Sequence, residues 1–125
     1  MFSQNGYAGA NIRELSGMMK VIQNSLTPEL FLKIYTSVGW KSPCIEQVKM
    51  ALAHTVASFT AYDGELPVGM VRLIGDGGMS FYLKDFAVIP GYQGKGAGAL
   101  LVNAVEAFIR DAIYAREYNK TNPKK

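Results

Sequence analysis

Four glycines fall within Gly91-Tyr-Gln-Gly-Lys-Gly-Ala-Gly98, a stretch that follows a proline and leads into an apolar helical pattern. A loop of this kind can cradle an anion. The first N–H groups of a helix have no partner within it, and the aligned peptide dipoles place partial positive charge at that end. Glycines at 94, 96 and 98 remove side chains that would hold a phosphate away, and Lys95 adds a formal charge. A pyrophosphate is the natural guest.

Three kinds of loop do this work, and spacing separates them. The nucleotide P-loop needs G-x-x-x-x-G-K-[ST]; Gly91 and Gly96 give the first half, but Ala97-Gly98 follows, so that reading fails. The dinucleotide fingerprint G-x-G-x-x-G/A is formally met by Gly94, Gly96 and Ala99. It normally follows its strand at once, whereas Pro90-Gly91-Tyr92-Gln93 intervenes here. It also needs a parallel strand after the helix, ending in an acid for the ribose. The third kind depends on the elements that position the loop.

The helix after the loop starts near Gly96 or Gly98 and reaches about Tyr118. Leu101, Val105, Phe108 and Ala112 line one face, with Asn103, Glu106 and Arg110 opposite. Before the loop, Val56–Ile89 reads as three strands, Ser58–Tyr62, Val68–Ile74 and Met79–Ile89. They are separated by Asp63-Gly64 and Asp76-Gly77-Gly78, both turn chemistry. The pattern predicts an antiparallel meander. Nine of the 13 glycines lie from Gly64 to Gly98, so the turns and the loop concentrate in that third of the chain. Further upstream, Thr27-Pro28-Glu29 is a helix start, Leu30, Phe31, Ile34, Tyr35 and Val38 recur at helical spacing, and Gly39 ends the run. A second helix is expected from about Pro43 to His54 or Thr55, and Met18–Asn24 reads as a first short strand.

The chain has 125 residues, 49% of them hydrophobic and 18% charged, enough for one packed domain. One cysteine, Cys44, and one histidine, His54, leave no internal disulfide and no Cys/His zinc site, and no metal is expected. No apolar run approaches the roughly 20 residues of a membrane span, and no signal-peptide pattern opens the chain. A cytoplasmic domain without membrane or nucleic-acid partners is therefore expected. The net charge of +3 arises in residues 110–125, where five Lys/Arg meet two Asp/Glu; residues 1–109 balance at eight each. No basic face interleaved with aromatics points to nucleic acid. The expected organisation is a leader or flexible extension over 1–17, a single domain over 18–118 and a basic tail over 119–125.

Gln93-Gly94-Lys95-Gly96-Ala97-Gly98 resembles the Q/R-x-x-G-x-G/A motif of the GNAT superfamily of acyl-CoA N-acyltransferases. Phe86-Ala-Val-Ile-Pro90 looks like that family's fourth strand and Ala99–Ile113 like its third helix. Tyr35–Trp40, Ala61–Met70 and Gly75–Gly78 are similar to a branch of small bacterial members, so the resemblance runs from about Lys20 to about Ile113. It implies an α+β fold, an α/β sandwich with a mostly antiparallel sheet flanked by helices. The family's fifth strand, fourth helix and final hairpin have no counterpart, which marks a C-terminally short member lacking the usual last strands. The family's frequent acid, a tyrosine after the fifth strand, is not found; Tyr114 and Tyr118 lie too early.

The resemblance implies acetyl-CoA as co-substrate and acetyl transfer to a primary amine of a small molecule or peptide. Amides of Gly94, Lys95, Gly96, Ala97, Gly98 and Ala99 would bind the pyrophosphate, with Gln93 opening the loop. Main-chain groups of Phe86, Ala87 and Val88 would pair with the pantetheine arm as an added strand, and the Val88 amide could polarise the thioester carbonyl. Phe86 and Val88 also read as ordinary core positions. Attack needs a neutral amine, and Asp85 is the best-placed candidate base; as a plain strand residue it would be a solvent-facing carboxylate. Tyr82 and Tyr92 are weaker candidates. Tyr35 and Trp40 either line the acceptor side or belong to the core. A bare strand edge invites pairing with a second chain, so a homodimer is expected, unless the last helix folds over the gap. The rival to an enzyme is a non-catalytic coenzyme A binder or association module on the same fold.

Overall fold

Thr27 caps the first helix by accepting the Leu30 N–H on Oγ1 at 3.1 Å, and Pro28 occupies the first helical position. In the computed structural model, which describes residues 19–121, this is α1, Pro28–Ser37. Strand β1 (Met19–Gln23) precedes it and α2 (Ile45–Ala53) follows. Then come β2 (Ala57–Asp63), β3 (Leu66–Gly75), β4 (Phe81–Val88), a 3-10 turn at Pro90–Tyr92, and α3 (Ala97–Thr121). The extension assigned to residues 1–17 lies outside the described residues, as does the end of the tail, 122–125. Residues 119–121, counted with that tail, continue α3.

Element boundaries shifted where side chains took over turn amides. The Asp76 carboxylate accepts the N–H groups of Gly78, Met79 and Ser80 at 2.8, 2.8 and 3.0 Å, so the turn extends to Ser80 and β4 starts at Phe81. Helix α2 starts at Ile45, because the Cys44 N–H is received by Gln47 Oε1 at 3.0 Å from the first turn. Gly64 takes a φ of +63° in the tight β2–β3 turn, where Asp63 pairs with Leu66.

The four strands form one antiparallel sheet in the order β1-β2-β3-β4. Alternation along the strands divides the core between two faces. Phe59, Val71 and Leu73 pack with Leu101 and Val105 of α3. Met70 and Ala87 pack with Phe31 and Ile34 of α1 and Val48 of α2 on the other face. The result is an α/β sandwich. Helix α3 lies across its face against all four strands and does not take a fifth place beside β4, whose outer edge has no strand among the described residues. No described helix is long and apolar enough to cross a membrane.

Candidate functional site

Strand β4 delivers the chain to the glycine loop through a short series of main-chain bonds. Ile89 N–H is received by Val68 C=O at 2.9 Å, which holds the strand end on β3. Tyr92 N–H turns back to Ile89 C=O at 2.9 Å and Lys95 N–H to Tyr92 C=O at 3.3 Å. Gly94 and Gly96 then adopt φ of +79° and +96°, values that side-chain-bearing residues rarely reach. A Cβ at either would meet nothing within 4 Å, so backbone conformation, not crowding, requires glycine, and the space beside the loop is open. Leu100 N–H closes on Gly96 C=O at 3.1 Å, leaving the amides of Ala97, Gly98 and Ala99 without acceptors in the helix. Ala97 itself is buried against Leu101.

Two side chains brace this loop. Tyr92 OH donates to Asp63 Oδ2 at 2.5 Å, and Lys95 Nζ lies 5.7 Å over the Tyr92 ring. The hydrogen bond to Asp63, then burial, raises the Tyr92 pKa. Gln93 Nε2 donates to Val88 C=O at 2.9 Å, tying the loop back to the strand. Neither Asp63 nor the Gln93–Val88 bond was legible in the sequence, because both partners come together only when the loop folds over β4.

The register decides which main-chain groups of β4 are free. Ala87 and Val88 lie opposite Met70 and Gly69. Antiparallel pairs alternate between bonded and non-bonded positions, and Ile89 is bonded to Val68. Ala87 is thus turned inward to Met70, while Phe86 and Val88 direct their main-chain groups to the outer edge. Of the three residues assigned to the pantetheine arm, two face that edge.

Below this point the strand is irregular. Asp85 and Phe86 together oppose Val71, a bulge in which Asp85 takes a φ of +58°. A left-handed conformation at a non-glycine residue costs on the order of 1–3 kcal/mol and needs support from its surroundings. Arg72 supplies that support. Its Nε donates to Asp85 Oδ2 at 2.7 Å, while Nη1 reaches Ala51 C=O at 3.3 Å and Thr55 Oγ1 at 3.2 Å. Both side chains of the pair are nearly buried, 11% and 10% exposed. Asp85 is therefore not a solvent-facing carboxylate, and Arg72 is the site residue that sequence reading missed; an arginine in a strand carries no local signal of its partner.

A cavity of about 210 Å³ opens at this pair, between α1, α2 and β4, with Tyr35 and Asp85 both on its wall. Trp40 packs edge-on against Tyr35 at 4.9 Å and is not part of the lining; Phe31 stacks on the other side of Tyr35 at 5.2 Å. Tyr82 is exposed on β4. Cys44 and His54 cap the two ends of α2, with His54 Nδ1 2.9 Å from Met50 C=O. Among the described residues no group of three metal-ligating side chains occurs.

Residues 23–123 match the family model of the acetyltransferase (GNAT) family. No curated protein matches. Among solved structures, a protein of unknown function from meticillin-resistant Staphylococcus aureus, described as a probable acetyltransferase, is similar at 30% identity with a TM-score of 0.70, over 77% of this chain and 72% of that one. A GNAT-family acetyltransferase from Streptococcus pneumoniae is similar at 32% identity with a TM-score of 0.67, over 78% and 71%. An aminoglycoside acetyltransferase from an uncultured soil sample shares the fold at 19% identity with a TM-score of 0.60, over 78% and 74%.

Proposed function

From the premise that this chain belongs to the GNAT acetyltransferase family, we propose that it transfers an acetyl group from acetyl-CoA to a primary amine by direct attack. One observation carries the reading: the outward main chain of Phe86 and Val88 runs into a glycine loop at the N-terminus of α3, with open space beside it. The residues present fit the group. Amides of Gly94, Gly96, Ala97, Gly98 and Ala99 would hold the pyrophosphate, while Lys95, whose own N–H is held by Tyr92 C=O, adds only its side-chain charge. The outward main chain of Phe86 and the Val88 N–H would take the pantetheine arm as a strand, the Val88 C=O being held by Gln93. Acetyl-CoA supplies an activated thioester, whose carbonyl carbon the acceptor nitrogen takes over from sulfur.

The protein's own part is polarisation and proton removal. The Val88 N–H, on the outer edge, would donate to the thioester oxygen. Asp85 Oδ2 is held by Arg72, while Oδ1 has no hydrogen-bond partner among the described residues and can receive the amine's proton, directly or through water. Tyr35 lines the acceptor side. A cytoplasmic location and a homodimer complete the reading. One observation favours a second: Asp85 is already engaged by Arg72, as in a purely structural role. A coenzyme A binding or association module would then need no base.

Calorimetric titration with acetyl-CoA, followed by thiol release on a panel of amines, tests the two. Saturable binding is expected, with turnover lowered about 100-fold or more in Asp85→Asn while binding persists, the range of general-base catalysis. Binding with no turnover on any amine selects the module. An unchanged rate in Asp85→Asn removes Asp85 as base.

A further inference from the structure

Arg72 and Lys84 are cross-strand partners in the β3–β4 register, so both side chains leave the same face of the sheet. Two like charges directly opposite each other are unfavourable for the sheet. In an uninterrupted strand Lys84 and Asp85 would project to opposite faces; the bulge and left-handed turn at Asp85 bring its carboxylate onto the face of the two cations.

One carboxylate does not balance them. Asp85 Oδ2 is taken by Arg72 Nε, while Lys84 has no carboxylate within 4 Å among the described residues. Arg72 Nη2 has no acceptor there either. It is not sealed off, since Thr60 Oγ1 is the one buried side-chain polar atom without a partner among those residues. Arg72, Lys84 and Asp85 line the same cavity, with Phe31 and Tyr35 as its apolar wall. The cleft is thus lined by two cationic residues that each keep a donor without an acceptor among the described residues, beside one carboxylate whose second oxygen has no hydrogen-bond partner among them.

Resting on the acetyl-transfer reading, we infer that the acceptor is a small amine carrying its own carboxylate, of the α-amino acid class. Lys84 Nζ and Arg72 Nη2 hold the acceptor carboxylate, and Asp85 faces its amine. The surplus of positive charge opposes polycationic acceptors. It also favours the neutral form of the bound amine, the form that attacks. The cavity of about 210 Å³ is below the roughly 300–1,000 Å³ of sites for drug-sized ligands, as a small acceptor requires.

The test compares steady-state thiol release from acetyl-CoA with the common amino acids, their matched carboxamides and spermidine. Amino acids should exceed their amides in kcat/KM by about tenfold or more, mostly through KM, the worth of a charge-assisted hydrogen bond. Lys84→Gln should bring that ratio below about threefold, and Lys84→Arg should retain it. Titration of the same amino acids and amides into protein saturated with coenzyme A reads the preference independently of turnover. Equal values for acid and amide, a preference for spermidine, no amino acid bound, or a ratio unmoved by Lys84→Gln overturns the inference. Failure of acetyl-CoA to bind is a separate result, and it overturns the acetyl-transfer reading as well.

Discussion

Arg72 and Asp85 form an ion pair withdrawn from water, and such pairs are costly to break from one side. Arg72→Met leaves the Asp85 carboxylate without its partner and should destabilise the protein by about 3 kcal/mol, read as a melting temperature lower by more than about 10 °C. Adding Asp85→Gly should restore part of that loss, because glycine accepts the positive φ and removes the stranded charge. A double variant no more stable than the single one would mean the pair does not support the bulge. Asp76 acts on a turn instead. Its amide donors, Ser80 first and then Gly78 and Met79, lower its pKa from 3.8 to about 2. A carboxylate depressed on folding contributes stability that is present above its unfolded value and lost as pH falls through its folded value. Melting temperatures should therefore decline between about pH 4 and pH 2, and Asp76→Asn should flatten that decline. An identical slope in the variant would place the acid sensitivity elsewhere.

On the acetyl-transfer reading the glycine loop and the β4 edge bind through main-chain atoms, and so act as elements. Gly96→Val forces a branched side chain into a φ of +96° and should abolish acetyl-CoA binding. Gly91→Ala is the matched control: its Cβ would meet nothing within 4 Å and its φ is not left-handed, so its melting temperature should stay within a few degrees of the parent. Binding that survives Gly96→Val would remove the loop as the pyrophosphate cradle. The loop was legible because glycine spacing, a preceding strand and a following helix are all local in sequence. Legibility stopped at the orientation of β4. Which of Phe86, Ala87 and Val88 offers its main chain outward depends on pairing with Gly69 and Met70, and on the extra residue at Asp85 that shifts the alternation.

At the scale of the whole molecule, β4 stands at the end of the sheet with Tyr82 and Leu83 exposed, 63% and 46%, and α3 covers a face instead of that edge. The part of that edge before Asp85, which has no strand beside it among the described residues, favours association with a second copy and leaves Phe86 and Val88 to the pantetheine arm. Sedimentation should show dimer at high micromolar protein, and a strict monomer there would refute it. Periodicity, caps and turn residues act over a few neighbours, so the order and type of the elements, the apolar stripes of α1 and α3 and the glycine loop were legible in the chain itself. Thr27, the 3.6-residue spacing from Leu30 to Val38 and the glycines at 94 and 96 needed no distant partner to be read. Only folding brings Arg72 onto Asp85, sets Lys84 beside them with no carboxylate within 4 Å among the described residues, and puts Tyr35 on the wall of their cavity. Those residues come from α1, β3 and β4, and only the antiparallel register and one bulge place them on a single face.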